Sequence, residues 1–137
     1  MEQKFSDLSG NEQTVLLPLV IQILSHRNTK QKVFSNTKIR KVLKEFGEEI
    51  HDAQIRKIVF HIRVNNLVPL LIANNEGYYV ASNIDDIKKW IAMQNGKIEA
   101  MQLSMQAIEK QFEQSKSALL SGEESSLIGQ LSIYDLL

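Results

Sequence analysis

The sequence predicts a mainly α-helical protein with one small β-hairpin, followed by a long heptad helix and a flexible tail. Three features of its 137 residues support this. Apolar residues recur at one-face helical spacing in three short segments before Asn66. Two β-prone runs then flank a turn at Asn74–Gly77. From Ile84 to Leu119 a heptad pattern runs without proline.

The first helix is read from Val15, Leu16, Leu19, Val20, Ile23 and Leu24. Pro18 interrupts that stripe. Proline lacks an N–H and crowds the carbonyl four residues back, so the helix is expected to kink there or to begin nearby. The stretch from His26 to Lys30 breaks the period. A second helix is expected after Ser35 or Asn36 as N-cap, with Ile39, Val42, Leu43 and Phe46 facing inward and Gly47 as its stop. Asp52 is expected to cap a third helix whose inner face is Ile55, Ile58, Val59 and Ile62, ending at Asn65–Asn66. Leu67–Ala73 reads as a strand whose start Pro69 demotes to an edge position. Tyr78–Val80 is its partner, and alternation along a strand puts one of Tyr78 and Tyr79 in the core, leaving the other able to stack on a base. Three short helices and a hairpin make the element order of a winged helix-turn-helix, with Asn74–Gly77 as the tip of the wing.

After the hairpin, Asn83 and Asp86 form a variant capping box. The a-type positions that follow are Ile84, Ile91, Ile98, Met105, Phe112 and Leu119, and the d-type positions are Ile87, Gln94, Met101, Ile108 and Ser115. Gly96 lies away from that seam. Such a helix is roughly 50 Å long, too long for a small body to cover. A coiled coil with a second copy of the chain is therefore expected, with Ile98, Met101, Met105, Ile108 and Phe112 at the dimer seam. Ser121–Ser126 is small, polar and acidic, a linker to the apolar segment Leu127–Leu137. The expected organisation is a helix-turn-helix domain over residues 1–82, a dimerisation helix over 83–120 and a linker with a peptide motif over 121–137.

Sixteen basic and sixteen acidic residues cancel to a formal charge of zero. That zero is unevenly distributed. Residues 27–63 hold ten basic residues against four acids, a net +6, which leaves −6 for the rest. Local density of Lys and Arg, not the total, decides whether a surface attracts phosphate. On a helical wheel, Arg40, Lys41 and Lys44 lie opposite the apolar stripe of the second helix, with Lys38 nearby. On the third helix Gln54, Arg56, Lys57 and His61 flank the outer side, making these eight residues the candidate DNA contacts. The centre of that side carries Ala53, Phe60 and Val64, which suit thymine methyls or a protein surface equally well.

The absence of cysteine removes disulfides, zinc fingers and thiol nucleophiles, and fits a cytoplasmic protein. The longest apolar runs, Val15–Ile21 and Leu67–Ala73, are far short of the about 20 residues of a membrane span. Glu2, Asp7 and Glu12 precede the first run where a signal peptide needs positive charge. His26, His51 and His61 have no metal-ligand spacing. With no phosphate loop and no Ser/His/Asp grouping, neither a catalytic residue nor a cofactor is expected, and the chain reads as a non-enzyme.

From about Val15 to Ile108 the chain resembles small winged-helix proteins of phages and prophages. The resemblance rests on Ile55-Arg56-Lys57-Ile58, His61-Ile62-Arg63, Gly77-Tyr78-Tyr79 and the long helix that follows. It implies a phage context and association with DNA. The tail residues Gln130, Leu131, Ser132, Ile133 and Tyr134 resemble the short motif, usually Gln-Leu-Ser/Asp-Leu-Phe, by which bacterial replication and repair proteins bind the β sliding clamp. There, Gln130 supplies a polar anchor with donor and acceptor, Leu131 fills a shallow site, and Ile133 with Tyr134 plugs a deeper one. A match this close arises by chance in roughly one chain of this length in a thousand. The expected function is a DNA-associated protein that recruits the clamp or competes for it in DNA replication. Two other readings stand beside it, a dimeric winged-helix transcriptional regulator and a protein-interaction adaptor.

Overall fold

The computed structural model describes residues 7–25 and 33–121. In chain order they form a π-helical turn Glu12–Leu16, α1 (Leu17–Ser25), α2 (Asn36–Glu45), α3 (Asp52–Val64), β1 (Leu71–Asn74), β2 (Gly77–Val80) and α4 (Ile84–Ser121). The described residues are mainly helical, with one two-stranded antiparallel sheet and a long final helix. Among the described residues no helix is long and apolar enough to cross a membrane.

α1 begins at Leu17, next to Pro18, in line with the expectation that the helix would begin nearby. It follows directly on a π turn, where the Leu17 N–H donates to the Glu12 carbonyl five residues back. Proline has no N–H for the Thr14 carbonyl, and the wider turn makes room for its ring. The extra residue in that turn also shifts the apolar phase. Leu17 therefore joins Leu16, Val20 and Leu24 in the core, while Val15, Leu19 and Ile23 are only half-buried.

Ser35 caps α2, accepting from the Lys38 N–H at 3.1 Å. At the other end Gly47 takes φ +78°, the Gly47 N–H donates to the Lys44 carbonyl, and the Glu48 N–H donates to the Leu43 carbonyl. This is a Schellman stop, for which a left-handed glycine is the natural residue. Phe46, expected inside, is 64% exposed. As the C-cap residue it leaves the helical path where the chain turns, and it lines a shallow surface hollow with Leu19, Ile23, Phe34 and Val42.

Asp52 is not the cap of α3. His51 holds that position, its N–H donating to Gln54 Oε1 at 2.9 Å, and Asp52 is the first helical residue. Asn66 ends α3 as Gly47 ends α2, with φ +54° and N–H donation from Asn66 to Arg63 and from Leu67 to Ile62. Asparagine tolerates the left-handed region better than other non-glycine residues.

β1 begins only at Leu71, because Pro69 and Leu70 (φ +61°) form a turn where the β-prone run was expected to start. The strands pair Leu71 with Val80 and Asn74 with Gly77. Asn74 Oδ1 closes the tip by accepting from the Glu76 and Gly77 N–H groups at 2.8 and 3.2 Å. A rung absent from the sequence reading lies on the far side of β2. Phe34 and Tyr78 exchange both N–H···O bonds at 2.9 Å, joining the segment before α2 to the hairpin. Gly77 makes that approach possible: a Cβ there would sit 2.4 Å from the Phe34 carbonyl oxygen, and its φ is +144°.

The main core joins Leu16, Val20 and Leu24 to Ile39, Leu43, Ile55, Ile58, Val59 and Ile62. A second, smaller cluster holds Val33, Ile72, Tyr79 and Ala81, with Ile87 and Trp90 of α4 packed on it. Those first turns of α4 belong to the compact unit that runs to Ala92. Asn83 caps α4 through the Asp86 N–H at 2.8 Å, and its own amide donates to the Asp86 carboxylate at 3.2 Å.

Gly77→Ala is expected to lower stability by roughly 2–3 kcal/mol, combining backbone strain with a clash. Thermal unfolding followed by circular dichroism checks this. An unchanged melting temperature would mean that the Phe34 rung is dispensable.

Candidate functional site

The candidate nucleic-acid interface is built on α2 and α3. α2 offers a face because its apolar residues, Ile39 and Leu43, are buried on one side. Lys41 and Lys44 project from the other and are exposed. α3 likewise buries Ile55, Ile58, Val59 and Ile62 and leaves Arg56 exposed, with His61 half-buried.

Four of the eight predicted contact residues are already engaged within the fold. Arg40 is ion-paired with Asp52 and donates to Thr37 Oγ1 at 3.2 Å, locking the α2–α3 turn. Gln54 receives the His51 N–H as part of the α3 cap. Lys38 Nζ reaches the Val33 carbonyl at 3.3 Å. Lys57 lies 2.6 Å from Glu12 Oε1. Lys41, Lys44 and Arg56 are exposed and, with the half-buried His61, form the outward basic set. Beside them Thr37, Lys41, Lys44, Glu48 and Glu49 line an open cleft of mixed charge, so the positive field is concentrated on the lysine side.

Glu12 is the most informative residue the sequence reading passed over. It is only 3% exposed. Its carboxylate accepts the Ser9 N–H at 2.8 Å while the Glu12 N–H donates to Ser9 Oγ at 3.2 Å, a reciprocal capping box. The Ser9-x-x-Glu12 spacing was the available signal. Burial alone pushes the Glu12 carboxyl up. The hydrogen bonds from Lys57 and Ser9, with the Lys57 charge, outweigh that and hold it below its ordinary value. One carboxylate thus starts the first helix and ties it to α3.

Arg63, counted in the basic segment, also faces inward. Its Nε donates to the Leu71 carbonyl at 2.8 Å, and its guanidinium lies 5.0 Å from the Trp90 ring centre and 6.0 Å from that of Tyr78. Burial works against the Arg63 charge and pushes the Tyr78 hydroxyl up, and the two neighbours partly offset each other. Tyr79 is the buried tyrosine of the pair. Ala53, Phe60 and Val64 form the exposed apolar strip predicted at the centre of α3, Phe60 at 43% and Val64 at 62% exposure.

No family model, no curated protein and no solved structure matches this chain. The site is therefore read from its own chemistry. Among the described residues no group of three or more His, Asp or Glu is placed to hold a metal ion. The five candidate clamp-binding residues, Gln130, Leu131, Ser132, Ile133 and Tyr134, lie outside the described residues.

The Glu12–Lys57 pair gives stability a defined pH dependence. A carboxyl held below its ordinary value contributes fully above that value, and the contribution is lost as pH falls through the folded-state value. Glu12→Gln is expected to cost on the order of 1–3 kcal/mol at neutral pH by leaving Lys57 partly buried and unpaired. The gap between wild type and variant should close in acid. Denaturant titrations at neutral and acidic pH check this, and a gap that widens in acid would reverse the assigned sign.

Proposed function

We propose that this chain is a non-enzymatic, DNA-associated protein of phage or prophage type that binds the bacterial β sliding clamp through Gln130–Tyr134, recruiting or competing for the clamp in DNA replication. The observation that carries the reading is the Gln130-Leu131-Ser132-Ile133-Tyr134 motif behind a linker rich in Ser and Glu. The body is read as a winged helix-turn-helix, with α2 and α3 as the turn pair and β1–β2 as the wing. Support comes from the element order and from the Phe34 rung, which adds a third segment beside the hairpin. The outward basic residues Lys41, Lys44 and Arg56 are suited to phosphate, since released counterions drive such contacts without sequence preference.

A homodimer through α4 completes the proposal. The apolar a and d side chains beyond Ala92 are between 47% and 72% exposed. Covering them contributes roughly 1 kcal/mol each, and twelve across two copies match the scale of the about 4–15 kcal/mol cost of association. Two weak tails on one dimer then gain avidity on a ring-shaped clamp through effective concentration.

The exposed Phe60 and Val64 favour a second reading, a protein-interaction adaptor in which α3 meets a protein surface. A dimeric transcriptional regulator is distinguished by sequence-selective DNA binding that survives deletion after Ser121.

Full-length protein is expected to bind purified β clamp in a titration calorimeter, and Gln130→Ala with Tyr134→Ala is expected to abolish it. An absence of heat at high micromolar clamp would overturn the clamp reading. For DNA, Lys41→Glu with Lys44→Glu is expected to weaken binding across unrelated sequences and to lower the salt slope by about 2. An unchanged slope in fluorescence anisotropy would favour the adaptor.

A further inference from the structure

α4 is one continuous helix of 38 residues, and the segment beyond Ala92 buries none of its apolar seam. Which way a second copy would run is legible in the size and polarity of the seam residues. We propose that the seam is covered by a second copy of this chain running antiparallel, with Ile98 opposite the partner's Ser115. This rests on the dimer reading above and adds its direction and register.

In a parallel pair each seam residue meets its own copy. Phe112 would then face Phe112, giving one crowded layer, while Ser115 faced Ser115 and Gln94 faced Gln94 in two polar layers. Reversing one helix sets a positions against d positions. With Ile98 opposite the partner's Ser115, Met101 meets the partner's Phe112 and Met105 meets the partner's Ile108, and the same three pairs recur by symmetry. Every layer then combines a larger with a smaller or more flexible side chain, as close packing requires. Methionine suits the place opposite phenylalanine, because its thioether adapts and contacts aromatic edges favourably. Gln94 falls opposite the partner's Leu119 at the end of the seam, where its amide reaches water.

The flanking positions agree. Antiparallel pairing sets Gln102 beside the partner's Glu109, Asn95 beside the partner's Lys116 and Ser104 beside the partner's Gln111, with no like charges opposed. Antiparallel helices also bring opposite dipole ends together.

The chain has no cysteine, so introduced thiols report alone. Ile98→Cys and Ser115→Cys lie about 25 Å apart on one helix, beyond any intrachain disulfide. Full-length protein carrying both is expected to form a covalent dimer on mild oxidation, while each single variant stays unlinked. A single Ser115→Cys variant that links to itself would overturn the antiparallel direction and leave the dimer reading intact. A dimeric mass by sedimentation with no link in the double variant would overturn the register. A monomeric mass at tens of micromolar would overturn the dimer reading itself. Because Ile98 is a seam residue, a spin label at Asn95→Cys gives an independent measure. The two labels are expected about 35 Å apart in this register, against about 10 Å for parallel helices; the short distance would overturn the proposal.

Discussion

The close approach of two backbones at Gly77 organises the first compact unit. Phe34 and Tyr78 exchange a full pair of hydrogen bonds there, and a side chain at residue 77 would occupy the space of the Phe34 carbonyl. The rung sets where the chain enters α2, because Ser35, the next residue, is its N-cap. It also fixes β2, whose Tyr79 anchors the second core and whose neighbour Tyr78 stands beside Arg63. The positions of α2, the hairpin and the first turns of α4 therefore depend on one residue without a side chain. Buried backbone groups need partners, so losing this rung would leave four of them to find new ones.

Charge inside the unit serves cohesion before it serves binding. Glu12 with Lys57 joins the first helix to α3, Arg40 with Asp52 joins α2 to α3, and Arg63 joins α3 to β1 and Trp90. These pairs take up three of the ten basic residues counted in the +6 segment. The field available to a phosphate backbone is correspondingly narrower than the count implies, and centres on Lys41, Lys44 and Arg56. Exposed pairs such as Arg40–Asp52 contribute little on their own, whereas the pair holding buried Glu12 is costly to break from either side.

Features with a local signature were legible in the sequence. Helix positions followed from the 3.6-residue period, the stops at Gly47 and Asn66 from residue type, and the hairpin from its turn. The exposed strip of Ala53, Phe60 and Val64 was legible for the same reason, since it lies opposite a buried stripe. What escaped had no period. A single-residue bridge at Phe34 leaves no alternation to detect, and the cap at His51 uses a backbone donor that propensity does not report. Pro18 marked a disturbance but not its form, because a π turn and a kink relieve the same clash. For the candidate site, residue type identified basic side chains but not their partners. Arg40 and Lys57 looked free because Asp52 and Glu12 are brought to them only by the tertiary fold.

In the proposed dimer, two weak features of this chain would gain strength from the same device. A five-residue motif buries few side chains, and a handful of exposed lysines binds phosphate modestly, so neither alone makes a tight partner. Joining two copies through α4 would convert the second contact of each kind into an intramolecular one, provided that the spacing permits both. Direction then decides which contacts are doubled. Parallel helices would bring the two copies of Ser121 together, whereas the proposed antiparallel register would set them roughly 45 Å apart, at the two ends of the paired segment. A ring-shaped partner that holds both motifs of such a dimer at once would therefore have to span that separation, less whatever the segments after Ser121 make up.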